Sequence, residues 1–307
     1  WDQLRTYRHE EQKGMGLLDS KWKISPRDAQ VPDWEQDVTE KEWESVRMAV
    51  YAAQVDRMDQ GIGRLVAKLQ EMDVLENTLV FFLSDNGGCA EFLGEDGPSE
   101  IPTSRTPDGR PVRIGNSPEI EPGSDETYAS YDLPWANASD TPFRMYKHWV
   151  HEGGISTPLI IHWPAAVAGG GITHTAAHIM DVMSTCLDAA GLEYPTEYHG
   201  HAITPTEGES LLPAFYDMDW RRRDPLCWEH EGNAAVRLGD WKLVKERAGN
   251  WELYEMNQDR TELNDLSLTN QERIAELTGI YDEFSRRCGI ISWEEQRHRL
   301  MGRFNLL

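Results

Sequence analysis

Asp85 and Asn86 are the first residues along the chain whose types and position suggest chemistry. They follow the apolar run of residues 79–83 and precede Gly87 and Gly88 ("LVFFLSDNGG"). A carboxylate and an amide oxygen are hard ligands that suit Ca2+ or Mg2+, and Ca2+ tolerates such a mixed set better. The same residue types also form turns, because Asp and Asn side chains bond to nearby backbone groups. These residues alone therefore leave a divalent-cation site and a structural turn as alternatives.

A second group of reactive residue types precedes another pair of glycines. Lys147, His148, His151 and Glu152 lie close together in "KHWVHEGG". A lysine beside a metal could offset the charge of an anionic substrate, and a histidine could protonate a leaving group. An exposed basic loop hinged on the glycines is the alternative, and composition by itself favours it.

The surrounding pattern predicts the elements that would position Asp85. Apolar residues recur at spacings of three to five over residues 42–72, which predicts one long helix. A strand over residues 78–84 follows, and because both of its faces are apolar we expect a central strand of a covered, mostly parallel sheet. Asp85 and Asn86 would then lie at the carboxyl end of that strand, where open α/β sheets usually bind ligands.

Less regular segments surround these elements. Residues 1–40 mix charges, prolines and tryptophans without a period, which suggests a surface excursion. Residues 91–140 are rich in Gly, Pro, Ser, Asp and Glu and predict a long loop of the kind that is often functional. A strand over residues 157–164 and a helix over residues 177–190 follow, so the order of elements predicts an α/β protein.

The last third of the chain has a different sequence pattern, with short strands and a closing helix. Short strands are predicted in "PLCWEHEG", "AAVRLGDWKLVKE" and "WELYEM", and Thr269 with Glu272 predicts a capping box at the start of a closing helix. We therefore predict two domains. Residues 1–215 contain part of a large, mostly parallel sheet sandwiched by helices, and residues 216–307 form a smaller α+β domain with a short antiparallel sheet and a C-terminal helix.

Composition excludes several classes of partner. The 307 residues include 30 basic and 53 acidic side chains, a formal charge of -23, which disfavours nucleic acid or an anionic membrane surface. No apolar run approaches the ~20 residues of a membrane span, so no membrane-spanning helix is expected. The four cysteines form no Cys-x-x-Cys pair, so the spacing indicates neither a zinc site nor a disulfide framework.

Six segments, taken in order, resemble the sulfatase family, specifically the arylsulfatase branch of the alkaline phosphatase superfamily. They are "YAAQVDRMDQGIGRLVAKL", "NTLVFFLSDNGG", "TPFRMYKHWVHEGGISTPLIIHWP", "HIMDVMSTCLDAAG", "GESLLP" and "WELYEMNQDRTELNDLS". Six ordered segments are far more specific than any one of them. The resemblance implies a sulfuric ester hydrolase, with residues 1–215 as the C-terminal part of the large sulfatase domain.

The resemblance also implies roles for individual residues. Asp85 and Asn86 would contribute to a divalent-metal site, usually Ca2+ with Mg2+ as the alternative, and Lys147 would contact the sulfate as a catalytic residue. His148 and His230 are candidate substrate-binding residues. The family mechanism uses a formylglycine, made from a cysteine or serine in a Cys/Ser-x-Pro/Ala-x-Arg motif, whose hydrated aldehyde attacks sulfur.

The sequence departs from the family pattern at the nucleophile. None of its cysteines opens the formylglycine motif, and the paired aspartates that complete the metal site are also absent. In the family these features precede the region that matches here. We therefore expect the chain to be the C-terminal portion of a sulfatase, which needs the N-terminal half of the same protein, with its formylglycine, to complete the site.

Two alternatives to a sulfatase stay open. One is a phosphatase or phosphodiesterase of the same superfamily, although "KHWVHEGG" favours a sulfatase. The other is a non-catalytic sulfatase-like module, against which the retention of Asp85, Asn86 and Lys147 argues. The family implies an aryl or carbohydrate sulfate ester as substrate and a periplasmic, extracellular or lysosomal location.

Overall fold

The computed structural model describes residues 1–95 and 105–303. Its helices are α1 (Asp2–Gly14), α2 (Lys41–Glu71), α3 (Asp132–Ser139), α4 (Glu152–Ile155), α5 (Asp181–Ala189), α6 (Gln271–Cys288) and α7 (Trp293–Arg303). Its strands are β1 (Val80–Leu83), β2 (Arg113–Ile114), β3 (Thr127–Tyr128), β4 (Leu159–His162), β5 (Glu197–Tyr198), β6 (His201–Ala202), β7 (Leu226–His230), β8 (Asn233–Leu238), β9 (Trp241–Lys245) and β10 (Glu252–Glu255). None of the helices within the described ranges is long and apolar enough to cross a bilayer.

The two strands predicted to form a parallel sheet pair in the opposite sense. β1 and β4 form an antiparallel pair in which Phe81 faces Ile161, and all four residues of β1 are half-buried. Among the described residues β1 has no second neighbour, and the parallel pairing is between the short strands β2 and β3. The parallel prediction was wrong for β1 because apolar faces report burial and contain no information about the direction of the neighbouring strand.

The chain divides into two compact units. The first unit contains residues 1–75, 86–147 and 152–156, and the second contains residues 76–85, 148–151 and 157–307. Segments of the two units therefore alternate along the chain. The predicted domain boundary between residues 215 and 216 stays a prediction.

The core of the first unit includes a cluster of tryptophans at its N-terminal end. The Trp1 ring lies edge-on to Trp34 and Trp135, with centroids 4.5 and 4.7 Å apart. Buried Arg5 on α1 donates from Nε to the Asn137 carbonyl at 3.2 Å and from Nη2 to the Ser25 carbonyl at 2.9 Å. The prediction of a surface excursion was wrong, because polar side chains anchor this segment and leave no apolar period to detect.

The long predicted helix is confirmed as α2, but much of its apolar stripe is exposed. Val55, Met58 and Leu65 are 42%, 49% and 68% exposed. Arg47 is buried on the same helix and pairs with Glu44 at 2.5 Å. The sequence pattern therefore predicted the helix correctly, and the described chain covers only part of its apolar face.

The second unit contains the predicted antiparallel sheet and closing helix. The strand order is β10-β9-β8-β7, and α6 packs on the sheet through Leu277, which contacts fully buried Val236 and Leu243. The predicted capping box is absent from α6: Asn270 is the N-cap residue, and the Thr269 hydroxyl donates to the Leu266 carbonyl at 3.1 Å. The helix begins one residue later than a box requires.

Candidate active site

Asp85 and Asn86 lie directly beyond the end of β1, as predicted. Asp85 is exposed and Asn86 half-buried, and the boundary between the two units falls between them. The Asn86 Nδ2 donates to the Gly87 carbonyl at 2.7 Å, so the nitrogen of the amide and not its oxygen faces that carbonyl. A carboxylate and an amide oxygen fit two of the six to eight oxygen ligands that Ca2+ takes.

The two glycine pairs of the sequence pack against each other within the first unit. The Gly87 N–H donates to the Gly154 carbonyl at 3.0 Å, and a Cβ on Gly87 would lie 1.7 Å from the Gly153 oxygen. A Cβ on Gly153 would lie 2.2 Å from the Met145 oxygen. The glycines are therefore required where two backbones meet, and they do not form an exposed hinge.

The backbone of Lys147 is hydrogen-bonded to the loop that contains Asn86. Its N–H donates to the Gly88 carbonyl at 2.9 Å, and its Nζ lies 3.2 Å from the Glu91 carboxylate. The Lys147 and Glu91 side chains are 37% and 48% exposed, so water screens this ion pair. The ion pair therefore contributes little to stability.

Cys89 shares the Glu91 carboxylate with that lysine. Its Sγ donates to Glu91 at 3.0 Å, and burial, followed by this hydrogen bond, raises the pKa of the Cys89 thiol. Burial likewise raises the pKa of Cys227 to about 11. Both thiols are therefore poor nucleophiles near neutral pH.

Asp140 is hydrogen-bonded to the loop that follows β1. The sequence pattern did not identify it as a candidate site residue. Its Oδ1 accepts the Gly88 N–H at 2.7 Å, while its Oδ2 has no hydrogen-bond partner within the described ranges. Burial raises the pKa of Asp140 to about 7, although the Gly88 hydrogen bond and the charge of Arg8 both lower it. The neighbouring Cys89 N–H donates to the Tyr131 hydroxyl at 3.1 Å.

In the second unit the side chains of His148 and His230 lie close together. Their rings stack with centroids 5.6 Å apart, and His148 Nδ1 lies 3.2 Å from the Glu231 carboxylate. Glu231 was missed because a single glutamate in a hairpin turn has no distinguishing pattern. The side chains of His148, His230 and Glu231 are 30%, 54% and 34% exposed, but the Nδ1 atom of His148 is itself buried.

Two other residues of "KHWVHEGG", His151 and Glu152, are buried. His151 is fully buried in the second unit, and its Nε2 lies 3.4 Å from the Glu252 carboxylate, which also accepts from Tyr254 at 2.6 Å. Glu152 is buried at the start of α4 in the first unit. His151 and Glu152 are therefore buried, whereas the Lys147 side chain is 37% exposed.

The predicted loop over residues 91–140 is only partly described. Residues 96–104 of the predicted loop lie outside the described ranges. The rest is more ordered than predicted, because α3 occupies residues 132–139 and β2 pairs with β3. Its buried residues, such as Trp135, were hidden from the pattern by the polar composition around them.

These observations describe an α/β chain in which a carboxylate and an amide side chain follow β1, and in which the backbone of Lys147 is hydrogen-bonded to the loop that contains Asn86. The family model described as Sulfatase matches residues 21–192, more than half of the chain. A second model, described as N-sulphoglucosamine sulphohydrolase, C-terminal, matches residues 143–283. The chain belongs to the sulfatase family.

Individual relatives agree with this assignment. The chain is 30% identical to an uncharacterized sulfatase of Schizosaccharomyces pombe over 300 residues, which is 95% of this chain and 53% of that protein. It is 27% identical to N-acetylgalactosamine-6-sulfatase of Canis lupus familiaris over 62% of this chain and 28% of that protein. The chain thus spans about half the length, or less, of these relatives.

A solved structure confirms the fold class. The crystal structure of Ps i-CgsB has a TM-score of 0.56 to this chain at 20% identity, covering 92% of this chain and 54% of that one. At this identity the likeness shows a shared fold. The predicted α/β class, with a short antiparallel sheet and a C-terminal helix, is confirmed, and only the pairing direction of β1 and β4 needs correction.

Proposed function

We propose that the whole protein is a sulfatase that hydrolyses sulfate monoesters and that this chain forms part of its active site. The observation that carries the proposal is the hydrogen bond from the Lys147 N–H to the Gly88 carbonyl. It joins the one lysine of the "KHWVHEGG" segment to the loop that holds Asn86. A proposed cation ligand and a proposed anion-binding residue on two segments joined by a backbone hydrogen bond suit an ester whose acidic group carries charge.

Asp85 and Asn86 are proposed as ligands of a divalent cation, with Ca2+ preferred and Mg2+ as the alternative. The donor set of hard oxygens fits either ion, and Ca2+ accepts the amide oxygen more readily. When bound, the ion supplies positive charge that offsets charge on the sulfuryl oxygens. The remaining ligands would come from other segments of the protein.

Lys147 is proposed to bind the sulfuryl group through its ammonium. The Glu91 carboxylate lies 3.2 Å from Nζ and would be exchanged for a sulfuryl oxygen when substrate binds. Because the backbone of Lys147 is fixed, little reorganisation accompanies this exchange, which is the condition for effective electrostatic stabilisation. Glu91 would return to the lysine after product release.

A carbohydrate sulfate is the substrate class that we propose. Relatives of this chain include the N-acetylgalactosamine-6-sulfatase of dog and the N-acetylglucosamine-6-O-sulfatase of Bacteroides thetaiotaomicron, which is 27% identical over 71% of this chain. The stacked imidazoles of His148 and His230 offer donors and acceptors for sugar hydroxyl groups. We propose these two histidines as substrate contacts, with aryl sulfates as the alternative substrate class.

The nucleophile is proposed to come from outside these 307 residues. No cysteine here lies in the formylglycine motif, and burial disfavours the thiolates of Cys89 and Cys227. We propose a formylglycine in another segment of the protein. The corresponding peptide would show the mass change that accompanies oxidation of a cysteine or serine to the aldehyde.

Hydrolysis assays on the full protein and on the 307-residue chain test this proposal. We expect the full protein to hydrolyse an N-acetylhexosamine 6-sulfate faster than an aryl sulfate, and the chain alone to hydrolyse neither. Turnover by the purified chain alone would reject the proposed origin of the nucleophile. Faster hydrolysis of the matching phosphate ester by the full protein would replace the sulfatase proposal with a phosphatase.

A further inference from the structure

Three side chains of the second unit bring two imidazoles and one carboxylate to a single point. The candidate ligand atoms of His148, His230 and Glu231 all lie within 4.8 Å of one another. His148 Nδ1 is 3.2 Å from one oxygen of Glu231, and His230 Nε2 is 3.9 Å from the other. The two nitrogens therefore approach the same carboxylate from different directions.

The hairpin between β7 and β8 fixes two of these residues. His230 faces Asn233 as the last pair of the ladder, so Glu231 and Gly232 form a two-residue turn. Their φ angles of 54° and 85° are those of a type I′ turn, the tight connection that fits the twist of a hairpin. The Gly232 N–H also donates to the Glu229 carboxylate at 2.8 Å, which restrains the turn further.

Asn233 connects the third residue to this turn. Its Nδ2 donates to the His148 carbonyl at 2.9 Å and to the His230 carbonyl at 3.0 Å. Its Oδ1 accepts the Arg247 N–H at 3.1 Å, so the carboxamide itself is fixed. One buried side chain therefore holds the backbones of both histidines at a constant separation, and only side-chain rotations remain.

We propose that His148, His230 and Glu231 bind a divalent transition-metal ion, with Zn2+ as the preferred ion. Two histidines and one glutamate are a known type of zinc ligand set, which leaves a fourth position for water. Zinc–nitrogen bonds of about 2.1 Å place tetrahedral ligand atoms roughly 3.4 Å apart. The separations of 3.2 and 3.9 Å end on different oxygens of Glu231. Rotations of the Glu231 and His230 side chains that bring one oxygen close to both nitrogens would complete the site.

This site differs in chemistry from the pair at the end of β1. Asp85 and Asn86 offer only oxygen, which suits Ca2+ or Mg2+, whereas imidazole nitrogens suit Zn2+, Cu2+ and Ni2+. Glu231 offsets one of the two positive charges of the ion. The side chains of His230 and Glu231 are 54% and 34% exposed, whereas the Nδ1 atom of His148 is itself buried, so the ion would enter from the side of His230 and Glu231.

Zinc titration of the full, untagged protein in saturating Ca2+ tests the proposal. Isothermal titration calorimetry, with a chromogenic chelator as competitor, should detect one Zn2+ that is lost, or weakened about tenfold or more, in His230→Asn and Glu231→Gln. The control is His201→Asn, which changes an exposed histidine on β6 outside the cluster and should bind as the wild type does.

A second variant separates ligand loss from misfolding. Asn233→Ser keeps all three ligands but removes the carboxamide that holds both histidines, so it should bind Zn2+ more weakly while retaining the wild-type circular dichroism spectrum. X-ray absorption of the zinc-loaded wild type should show scattering from two imidazoles. Equal zinc affinity in the wild type, His230→Asn and Glu231→Gln would overturn the proposal, as would the absence of imidazole scattering.

Zinc should also compete with substrate, a consequence that rests on the proposed function of His148 and His230. The expected result is a rise in KM with added Zn2+, which His201→Asn retains. If calorimetry confirms the zinc site and KM does not change, the metal site stands and the proposed substrate contacts fail. The two proposals can therefore fail separately.

Discussion

The N–H of Lys147 donates to the carbonyl of Gly88 at 2.9 Å, which joins the "KHWVHEGG" segment to the loop that follows β1. Two further hydrogen bonds hold the same loop, from Gly87 to the Gly154 carbonyl and from Gly88 to Asp140. Fixed backbone groups of this kind preorganise a site before substrate arrives. The predictions below test this loop and the residues that it positions.

Gly153→Ala should destabilise the protein, because the new Cβ would lie 2.2 Å from the Met145 oxygen and 2.3 Å from the Arg144 oxygen. We expect a loss of about 2–3 kcal/mol in the free energy of unfolding, measured by urea denaturation. Gly63→Ala on α2 is the matched control, because nothing lies within 4 Å of the added Cβ. It should stabilise the helix by about 0.5–1 kcal/mol. Equal stability of both variants would contradict the backbone contact.

Lys147→Ala should lower turnover of the full protein by about a hundredfold or more, as expected when one preorganised charge-stabilising group is removed. Its melting temperature should change little, because the ion pair with Glu91 is exposed. Lys68→Ala, which removes an exposed lysine paired with Glu71 at 3.0 Å, is the control and should keep full activity. Normal turnover by Lys147→Ala would leave this segment as an exposed basic loop.

His148→Asn should affect KM more than kcat, in contrast to the lysine variant. Asparagine is chosen because His148 has a φ of 85°, a conformation that asparagine tolerates better than alanine does. Steady-state kinetics on sulfate esters with a good and a poor leaving group provide the measurement. A large fall in kcat that is confined to the poor leaving group would instead assign the proton donor to His148.

Asp85→Ala should abolish tight Ca2+ or Mg2+ binding in the full protein, because it removes the charged ligand of the proposed site. Elemental analysis after dialysis gives the metal content directly. Asp59→Ala, on an exposed face of α2, is the control and should retain the metal. Full occupancy in the Asp85 variant would reject the assignment of Asp85 and Asn86 as ligands.

Asp140→Asn should make stability less dependent on pH. The pKa of Asp140 is raised from 3.8 to about 7 by burial, so between these values the folded state holds more protons than the unfolded state. Its contribution to stability is therefore present at low pH and falls as pH rises through that window. The charged or titratable groups around it are Arg8, Tyr131 and Tyr146.

Asparagine can still accept the Gly88 N–H but has no charge to bury. The variant should therefore be more stable than the wild type at pH 8, by about 1 kcal/mol or more, and equally stable near pH 4. Asp33→Asn should behave oppositely, because hydrogen bonds from the Gln36 and Glu35 backbone lower the pKa of Asp33. If the stability of the wild type rose between pH 5 and pH 7 and that of Asp140→Asn did not, the raised pKa of Asp140 would be contradicted.

The sequence by itself determined the features that depend on nearby residues. The period of apolar side chains predicted α2, short apolar runs and turn residues predicted the strands β7 to β10, and the order of motifs indicated the sulfatase family. Asp85 and Asn86 could be placed at a strand end because a single run of apolar residues defines where β1 stops. Local pattern is sufficient when the relevant forces act between neighbours in the chain.

Only the tertiary structure decided which residues meet. Glu91 pairs with Lys147 across 56 positions of the chain, and Asp140 reaches Gly88 across 52. Neither separation leaves any periodic signal, because the packing of distant backbones sets both contacts. The same reason explains why β1 and β4 could be recognised as strands but not oriented. Side-chain chemistry was readable from the sequence, whereas the partner that completes each group was fixed by the fold.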